Sequence, residues 1–251
     1  MQMLADEPVS LAKILDISIK LYVASFTKWI GFSTVLGVLS LGFNWFIKQY
    51  IGPGADASAL AEGGTVLLLA IVAVTLCSSM SYAAIVYRLD NAAHQRQDSF
   101  MEALQLGIKK TPSLLLAGFL YMLAVSVGTL LLLVPGIILS LSLLFHINFI
   151  VLDAKKAYGS LKASYALVKG SWWRTAGVLT VPMVLLLLFY FILIMLLGFI
   201  VKFAGIDGIA ELIINLFSIA STPFFLTVLY VQFHDLKLRK SGADLAARLA
   251  G

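Results

Sequence analysis

The chain of 251 residues is 61% hydrophobic and 12% charged, and its formal net charge is +5. A soluble domain is usually about half apolar, so this composition excludes an ordinary water-soluble fold. The positive charge does not indicate nucleic-acid binding, because that function needs a soluble basic face with base-reading elements. The single cysteine excludes an intrachain disulfide.

Six long uncharged runs follow one another along the chain. Each reaches or approaches the ~20 residues that a helix needs to cross ~30 Å of hydrocarbon. A membrane-spanning strand needs only ~10 residues and alternates its faces, which these runs do not. The sequence therefore predicts an all-α membrane protein with six transmembrane helices in a single integral membrane domain over 1–251. The runs cover about 30–51, 64–87, 112–134, 136–152, 172–201 and 208–234.

The charged residues between the runs divide unequally between the two sides of a membrane. Six crossings place sixteen of the eighteen Lys and Arg on one side, whereas the other side holds only Lys48 and Lys202. Basic residues near span ends stay in the cytoplasm, so we expect a multi-pass protein of the bacterial inner membrane with both termini cytoplasmic. The basic side comprises the N-terminal segment, 88–111, 153–171 with Arg174, and the segment from Asp235 onward.

The chain looks like three copies of one unit in parallel orientation. Each unit begins with an amphipathic segment, in which apolar residues at i, i+4 and i+7 or i+8 oppose a basic face. Ser10, Ser99 and Ser160 open these segments, and each is a candidate helix N-cap. We therefore predict three amphipathic interfacial helices, each followed by a helical hairpin. The units cover about 10–90, 99–153 and 160–236, with a cytoplasmic tail over 237–251.

The second hairpin is predicted to turn at Val134-Pro135-Gly136. Proline and glycine together break helices and favour turns. The two apolar runs leave no spare residues between them, so the turn is expected to be tight.

The tryptophans near the ends of the runs indicate an aromatic belt. Trp29, Trp172 and Trp173 lie at predicted cytoplasmic ends, and Trp45 lies near an outer end. Amphipathic rings favour the headgroup zone. We therefore expect these side chains to anchor the protein at the interfaces, and a ligand cage is the less favoured interpretation.

The basic amphipathic segments carry the strongest functional signal. A cytoplasmic leaflet rich in anionic lipid attracts Lys and Arg by ~1 kcal/mol each, although such residues also serve simply to fix topology. The expected partners are membrane lipids, chiefly anionic ones, with a protein partner or a second copy of the chain also possible and nucleic acid excluded. The candidate headgroup or partner contacts are Lys13, Lys20, Lys109, Lys110, Lys162, Lys169, Trp172, Trp173 and Arg174.

His146, Asn148 and Asp153 form a candidate intramembrane polar site at the end of the fourth run. They could hold a substrate or a proton. The interpretation that the sequence favours is structural, because interhelical hydrogen bonds and helix-end caps use the same residue types and are worth ~1 kcal/mol in bilayers.

Two further polar faces occur within apolar runs. Small polar residues let helices pack closely, and this is the favoured interpretation, with the lining of a solute path as the alternative. The faces consist of Ser78, Ser79 and Ser81 with Cys77, and of Asn215 with Ser218 and Ser221.

No pattern in the chain indicates catalysis. The three histidines are scattered, whereas a metal site needs three or four converging ligands. Nucleophile-elbow, phosphate-loop and zinc-protease motifs are missing from the sequence. We therefore expect no enzymatic activity, no cofactor and no metal.

One stretch carries a resemblance to a known group of proteins. It runs from Val134-Pro135-Gly136 through Asn148–Asp153 and Ser160–Gly170 to Trp172-Trp173-Arg174. This pattern resembles the YciC-type group of uncharacterised bacterial inner-membrane proteins, and it is similar to the membrane domain fused to some glycerophosphodiester phosphodiesterases. The resemblance is clearest over about 134–180. It implies a helical membrane module without established activity, and it transfers no catalytic residue.

Two functions remain open at this point. The leading hypothesis is a non-enzymatic module that organises or senses the bilayer, or docks a partner, through its cytoplasmic amphipathic helices. The alternative is a transporter or channel for a lipid-like or other apolar solute. A cavity lined by Ser, Asn and Gly that opens to both water and lipid would favour the alternative, and a densely packed bundle would count against it.

Overall fold

The computed structural model describes residues 3–50, 57–204 and 207–249, and within these ranges it contains nine helices and no strand. The helices are α1 (Leu11–Ala24), α2 (Phe26–Tyr50), α3 (Ala57–Ala93), α4 (Phe100–Leu131), α5 (Leu133–Leu143), α6 (His146–Val151), α7 (Ala157–Val168), α8 (Trp172–Ala204) and α9 (Asp207–Leu249).

Six helical segments of the described chain are long and apolar enough to cross a membrane, which confirms the six predicted runs and identifies a multi-pass membrane protein. The fourth of them is divided, because α5 ends at Leu143 and α6 begins at His146. The segments are Phe26–Gln49, Gly64–Ala93, Phe100–Leu131, Leu133–Val151, Trp172–Lys202 and Ile209–Gly242.

The first amphipathic segment forms the predicted separate helix. Ser10 is the N-cap of α1, and its hydroxyl oxygen accepts a hydrogen bond from the backbone N–H of Lys13 at 3.3 Å. The buried side of α1 includes Ile14 and Leu21, and the helix packs on α9 and α8. Its apolar face is therefore covered by the bundle.

The second amphipathic segment does not form a separate helix. Ser99 is the predicted N-cap, and a reciprocal hydrogen bond from its backbone N–H to Glu102 completes a capping box. However, α4 continues through Pro112 to Leu131. Proline removes only one backbone donor from a helix, so the segment and the third apolar run form one helix of 32 residues.

The prediction that Ser160 is an N-cap is wrong. The helix of the third predicted segment, α7, begins three residues before Ser160, with Lys156 at the N-cap position. Ser160 is fully buried, and its hydroxyl donates to the carbonyl of Ala157 at 2.6 Å. A serine whose hydroxyl donates to a carbonyl of its own helix can face the bundle interior. The sequence pattern alone does not distinguish such a serine from an N-cap.

The turn of the second hairpin is as tight as predicted but begins earlier. Leu132 alone separates α4 from α5, and its N–H donates to the carbonyl of Gly128 at 3.1 Å. Gly136 lies in the first turn of α5, where a Cβ would collide with Thr129. Glycine is required there because the two helices touch directly behind the turn.

The two ends of the bundle differ in charge. Lys28 of α2 and Arg88 of α3 both bind Asp98, and Arg174 of α8 binds Asp235 of α9. The hydroxyl of Tyr230 on α9 donates to Asp90 on α3 at 2.8 Å, which shows that the two groups lie at the same end of the bundle. We call this the basic end. At the opposite end, Lys48 binds Glu211 at 2.9 Å.

Candidate functional site

A buried ion cluster occupies the basic end. Asp235 is almost fully buried, and it accepts hydrogen bonds from Arg174 at 3.1 and 3.2 Å and from Arg239 at 2.8 Å. The backbone N–H of Val9 donates to the second carboxylate oxygen at 2.9 Å, and both guanidinium groups donate to the Val9 carbonyl. Arg174, a candidate headgroup contact, therefore joins α8, α9 and the segment before α1.

Two further acidic side chains of the basic end are paired as well. Asp98 has no exposed side-chain surface and binds both Lys28 and Arg88. Asp153 binds Lys237 at 2.7 Å. These carboxylates are thus neutralised by cations that belong to the fold.

Four of the predicted lysines are not neutralised in this way. Lys109, Lys110, Lys162 and Lys169 form no salt bridge to any carboxylate that the structure describes. Lys109, Lys162 and Lys169 are exposed on α4 and at the end of α7. Positive charge consequently accumulates along these two helices.

Lys13 and Lys20 of α1 are in a different environment. Both ammonium groups bind the same oxygen of Asp16 at 3.0 Å. The hydrogen bond from Lys13 and, to a smaller extent, the one from Lys20 lower the pKa of the Asp16 carboxyl. The two lysines and Asp16 together therefore carry one net positive charge at neutral pH.

Trp172 and Trp173 lie at the start of α8, beside a cavity of about 540 Å³. The indole Nε1 of Trp172 donates to the carbonyl of Ile138 at 3.4 Å, and Trp173 packs edge-on against Trp172 at 4.7 Å. We call this space the Trp172 cavity. Its walls come from α5, α7 and the turn before α8, and they comprise Val134, Ile137, Ile138, Ser142, Tyr165, Val168, Lys169, Gly170, Trp172 and Trp173.

The predicted belt position of Trp29 is wrong. Its side chain is 1% exposed, stacks on Tyr22 at 4.8 Å and donates from Nε1 to the Tyr22 carbonyl at 3.0 Å. This tryptophan belongs to the core between α1 and α2. Trp45, in contrast, is 65% exposed.

The residues of the candidate intramembrane polar site bind separate partners. The His146 ring lies 2.9 Å from the Leu143 carbonyl and stacks on Tyr121. Asn148 donates to the Leu229 carbonyl of α9 at 3.4 Å, and the Asp153 carboxylate binds a lysine of α9. In the described part of the chain, no hydrogen bond links the three side chains to one another.

A second cavity, of about 250 Å³, lies between α2, α3 and α9. Its polar lining includes Ser78 and Ser218, which the sequence had identified, and Ser33 and Ser40 of α2, which it had not. The hydroxyl of Ser33 is buried and has no hydrogen-bond partner among the described residues. The missed signal is the spacing of Ser33, Gly37 and Ser40 along one face of a helix. We call this space the serine cavity.

A third cavity, of about 440 Å³, adjoins the serine cavity. The two share Tyr82 and Thr222 in their walls, but the lining of this one is mainly apolar. Met183 and Leu187 contribute to it from α8, and both side chains are exposed. The apolar cavity therefore opens sideways between helices, toward the region that lipid would occupy.

The acidic, histidine and cysteine side chains of the described ranges contain no group of three that could hold a metal ion. The candidate sites are thus a basic surface, the Trp172 cavity and the paired serine and apolar cavities.

The chain matches the model of one protein family, described as a domain of unknown function (DUF7847), over residues 63–235. The matched region runs into α9 as far as Asp235, so it includes every wall of the Trp172 cavity. Comparison with curated proteins gives no match, and neither does comparison with solved structures.

Proposed function

The chain belongs to the DUF7847 family of domains of unknown function, and we propose that it is a non-enzymatic membrane protein whose basic end engages anionic lipids of the cytoplasmic leaflet in a bacterial inner membrane. The sixteen Lys and Arg of one side support this orientation, with both termini cytoplasmic. The resemblance to YciC-type proteins rests on the motifs of residues 134–180, and it implies a helical membrane module without established activity.

The observation that carries the proposal is the set of unpaired lysines on α4 and α7. The fold uses its carboxylates at the basic end to neutralise cations such as Arg174 and Lys28. Lys109, Lys110 and Lys162 keep their full charge, and each should contribute ~1 kcal/mol of attraction near an anionic leaflet. Exposed apolar side chains, Ile108 on α4 and Tyr158 on α7, lie beside them. Basic and apolar groups together are typical of a surface in the headgroup region.

The test measures lipid selectivity in nanodiscs that hold phosphatidylglycerol and phosphatidylcholine. Spin-labelled lipids report how strongly the full chain prefers the anionic lipid. We expect the variant Lys109→Gln/Lys110→Gln to lose this preference several-fold. The control Lys48→Gln/Lys237→Gln removes the same charge from lysines that are paired with carboxylates, and it should retain most of the preference. Equal losses in both variants would show that only net charge matters and would refute a role for this surface.

Transport of a lipid-like solute is the second candidate, and the joined serine and apolar cavities favour it. An amphiphile has a polar and an apolar part. Ser33 and Ser218 of the serine cavity could contact the polar part, and Leu187 of the apolar cavity could contact the apolar part. The test uses proteoliposomes with a fluorescent phospholipid and an impermeant quencher. Transport predicts that quenching proceeds beyond the outer leaflet, and that Ser218→Leu slows it. Quenching that stops at the outer leaflet would exclude movement of this phospholipid.

A further inference from the structure

The hairpin of α4 and α5 ends close to the basic end of the bundle. Val134, two residues beyond the turn at Leu132, lines the same cavity as Lys169 and Gly170. A cavity of about 540 Å³ is roughly 10 Å across, far less than the ~30 Å of a hydrocarbon core. The start of α5 therefore lies near the turn between α7 and α8.

The hydrogen bond from Trp172 to the Ile138 carbonyl fixes the same relationship independently. Trp172 begins α8, and Arg174 two residues later is bound to the buried Asp235 at the basic end. Ser164 of α7 also binds the Ser142 carbonyl at 2.8 Å. Three contacts along α5 thus lie beside elements of the basic end.

The tip of this hairpin is suited to hydrocarbon. Residues 130–134 are four leucines and a valine, and their side chains are 64–87% exposed. Residues 111–152 contain no Asp, Glu, Lys or Arg, whereas the opposite end of the bundle carries the pair Lys48 and Glu211. If the tip emerged into water, these leucines would be hydrated, and no charged side chain of the tip would offset that cost.

The backbone of the turn leaves few polar groups unpaired. The Leu132 N–H donates to Gly128, the Gly136 N–H donates to the Leu132 carbonyl, and Pro135 has no N–H. Unpaired backbone groups are costly in hydrocarbon, so a break of one residue is tolerated where a longer loop would not be.

Two lysines border the Trp172 cavity. Lys169 lies in its wall, and the ammonium of Lys240 binds the Lys169 carbonyl at 3.0 Å. Neither ammonium forms a salt bridge to a carboxylate that the structure describes. Val134, Ile137 and Trp173 supply apolar walls. Two cations beside an apolar cleft complement a phosphate that carries acyl chains.

We infer that the α4–α5 hairpin remains in the leaflet at the basic end, and that the cavity between its tip and the α7–α8 turn binds one anionic phospholipid. The phosphate lies against Lys169 and Lys240, and an acyl chain lies along Val134 and Ile137. Both helices of the hairpin then lie within that leaflet, although they are long and apolar enough to span, and four helices, α2, α3, α8 and α9, cross the membrane. The inference rests on the proposed engagement of lipid and assigns it a specific site.

Cross-linking tests the position of the hairpin. In a Cys77→Ser background, the pair Val134→Cys/Trp173→Cys is treated in native membranes with a bis-maleimide of about 10 Å reach, which matches the width of the cavity and is far shorter than the ~30 Å of a hydrocarbon core. We expect an intrachain link, found by peptide mass spectrometry, and none for Val134→Cys/Lys202→Cys. A link in the second pair only, or none in either, would place the hairpin across the membrane or elsewhere and overturn the inference.

Native mass spectrometry tests the lipid site. The purified full chain is incubated with phosphatidylglycerol, phosphatidylcholine or inorganic phosphate. We expect one phosphatidylglycerol to remain bound, and Lys169→Gln/Lys240→Gln to reduce its occupancy at least several-fold. The variant Lys109→Gln/Lys110→Gln should keep this lipid even where it loses the broad selectivity, which separates the site from the general surface. Equal retention of phosphatidylcholine, or displacement by free phosphate alone, would contradict a site for an anionic lipid.

Discussion

Arg174 donates two hydrogen bonds to one carboxylate oxygen of Asp235, from Nε at 3.2 Å and from Nη2 at 3.1 Å. The same guanidinium reaches the Val9 carbonyl. From its position near a span end, Arg174 would be interpreted as a topology signal. In the structure it instead forms tertiary contacts, and its charge is neutralised within the protein. Paired cations such as Arg174 therefore stabilise the fold, and only the unpaired ones remain available to bind anionic lipid.

The variant Asp235→Asn should be strongly destabilised. It leaves Arg174 and Arg239 without a carboxylate in a largely buried site, and the loss of one partner from a buried ion pair costs about 3 kcal/mol or more. Unfolding in mixed micelles measures the effect. The control is Asp153→Asn, since its pair with Lys237 is more exposed and should contribute less than about 1 kcal/mol. Similar losses in the two variants would contradict a special role for the cluster.

The variant Gly107→Ala should destabilise the contact between α3 and α4. A Cβ at Gly107 would lie 2.6 Å from the carbonyl oxygen of Met80, which is backbone and cannot move aside. Overpacking of this kind costs about 1–3 kcal/mol. Gly118 of the same helix has no neighbour within 4 Å of its added Cβ, so Gly118→Ala should be neutral or stabilise by about 0.5–1 kcal/mol. Thermal unfolding should show a lowered midpoint for Gly107→Ala and an unchanged or raised midpoint for Gly118→Ala.

The variant Trp29→Ala should unfold far more easily than Trp45→Ala. Trp29 is stacked and hydrogen-bonded in the core, and truncating a buried tryptophan costs about 3–5 kcal/mol. Trp45 is exposed, and its loss should cost less than about 1 kcal/mol. If Trp29 were an interfacial anchor, the two losses would instead be comparable.

The variant Asp16→Asn should increase the preference of the protein for anionic lipid. It releases Lys13 and Lys20 from their shared carboxylate and adds one unit of positive charge to α1. Because the two lysines lower the pKa of Asp16, the wild-type ion pairs persist above that lowered pKa and are lost only as the pH falls through it. The contribution of α1 to the selectivity of the wild-type protein in nanodiscs should therefore not change around neutral pH, where the Asp16 carboxyl stays ionised.

The apolar architecture could be predicted because hydrocarbon imposes it. A helix in a bilayer must be long and uncharged, and the runs that end near Tyr50 and Lys202 show this directly. Ser10 and Ser99 could be identified as caps because an exposed hydroxyl precedes each helix. Ser160 has the same local pattern, but neighbouring helices bury it, and a single segment does not reveal its neighbours.

The sites depended on packing that the sequence does not specify. Ser78 and Ser218 were recognisable as polar faces, whereas their convergence with Ser33 required α2 to lie between α3 and α9. The lysines were recognisable as basic, but the sequence does not show that Asp16 neutralises part of α1 and that α4 has no equivalent. Trp29 shows the same limit, since a tryptophan near a span end can face headgroups or the core.

The bond between Val9 and Arg239 joins residues 230 positions apart. At roughly 5–20 residues per second, synthesis of that interval takes on the order of ten to fifty seconds. Val9 therefore lacks this partner until the final helix has been synthesised. The hydrogen bond between Val9 and Arg239 therefore forms late in biogenesis. Until it forms, proteases would have access to the N-terminal segment of the chain.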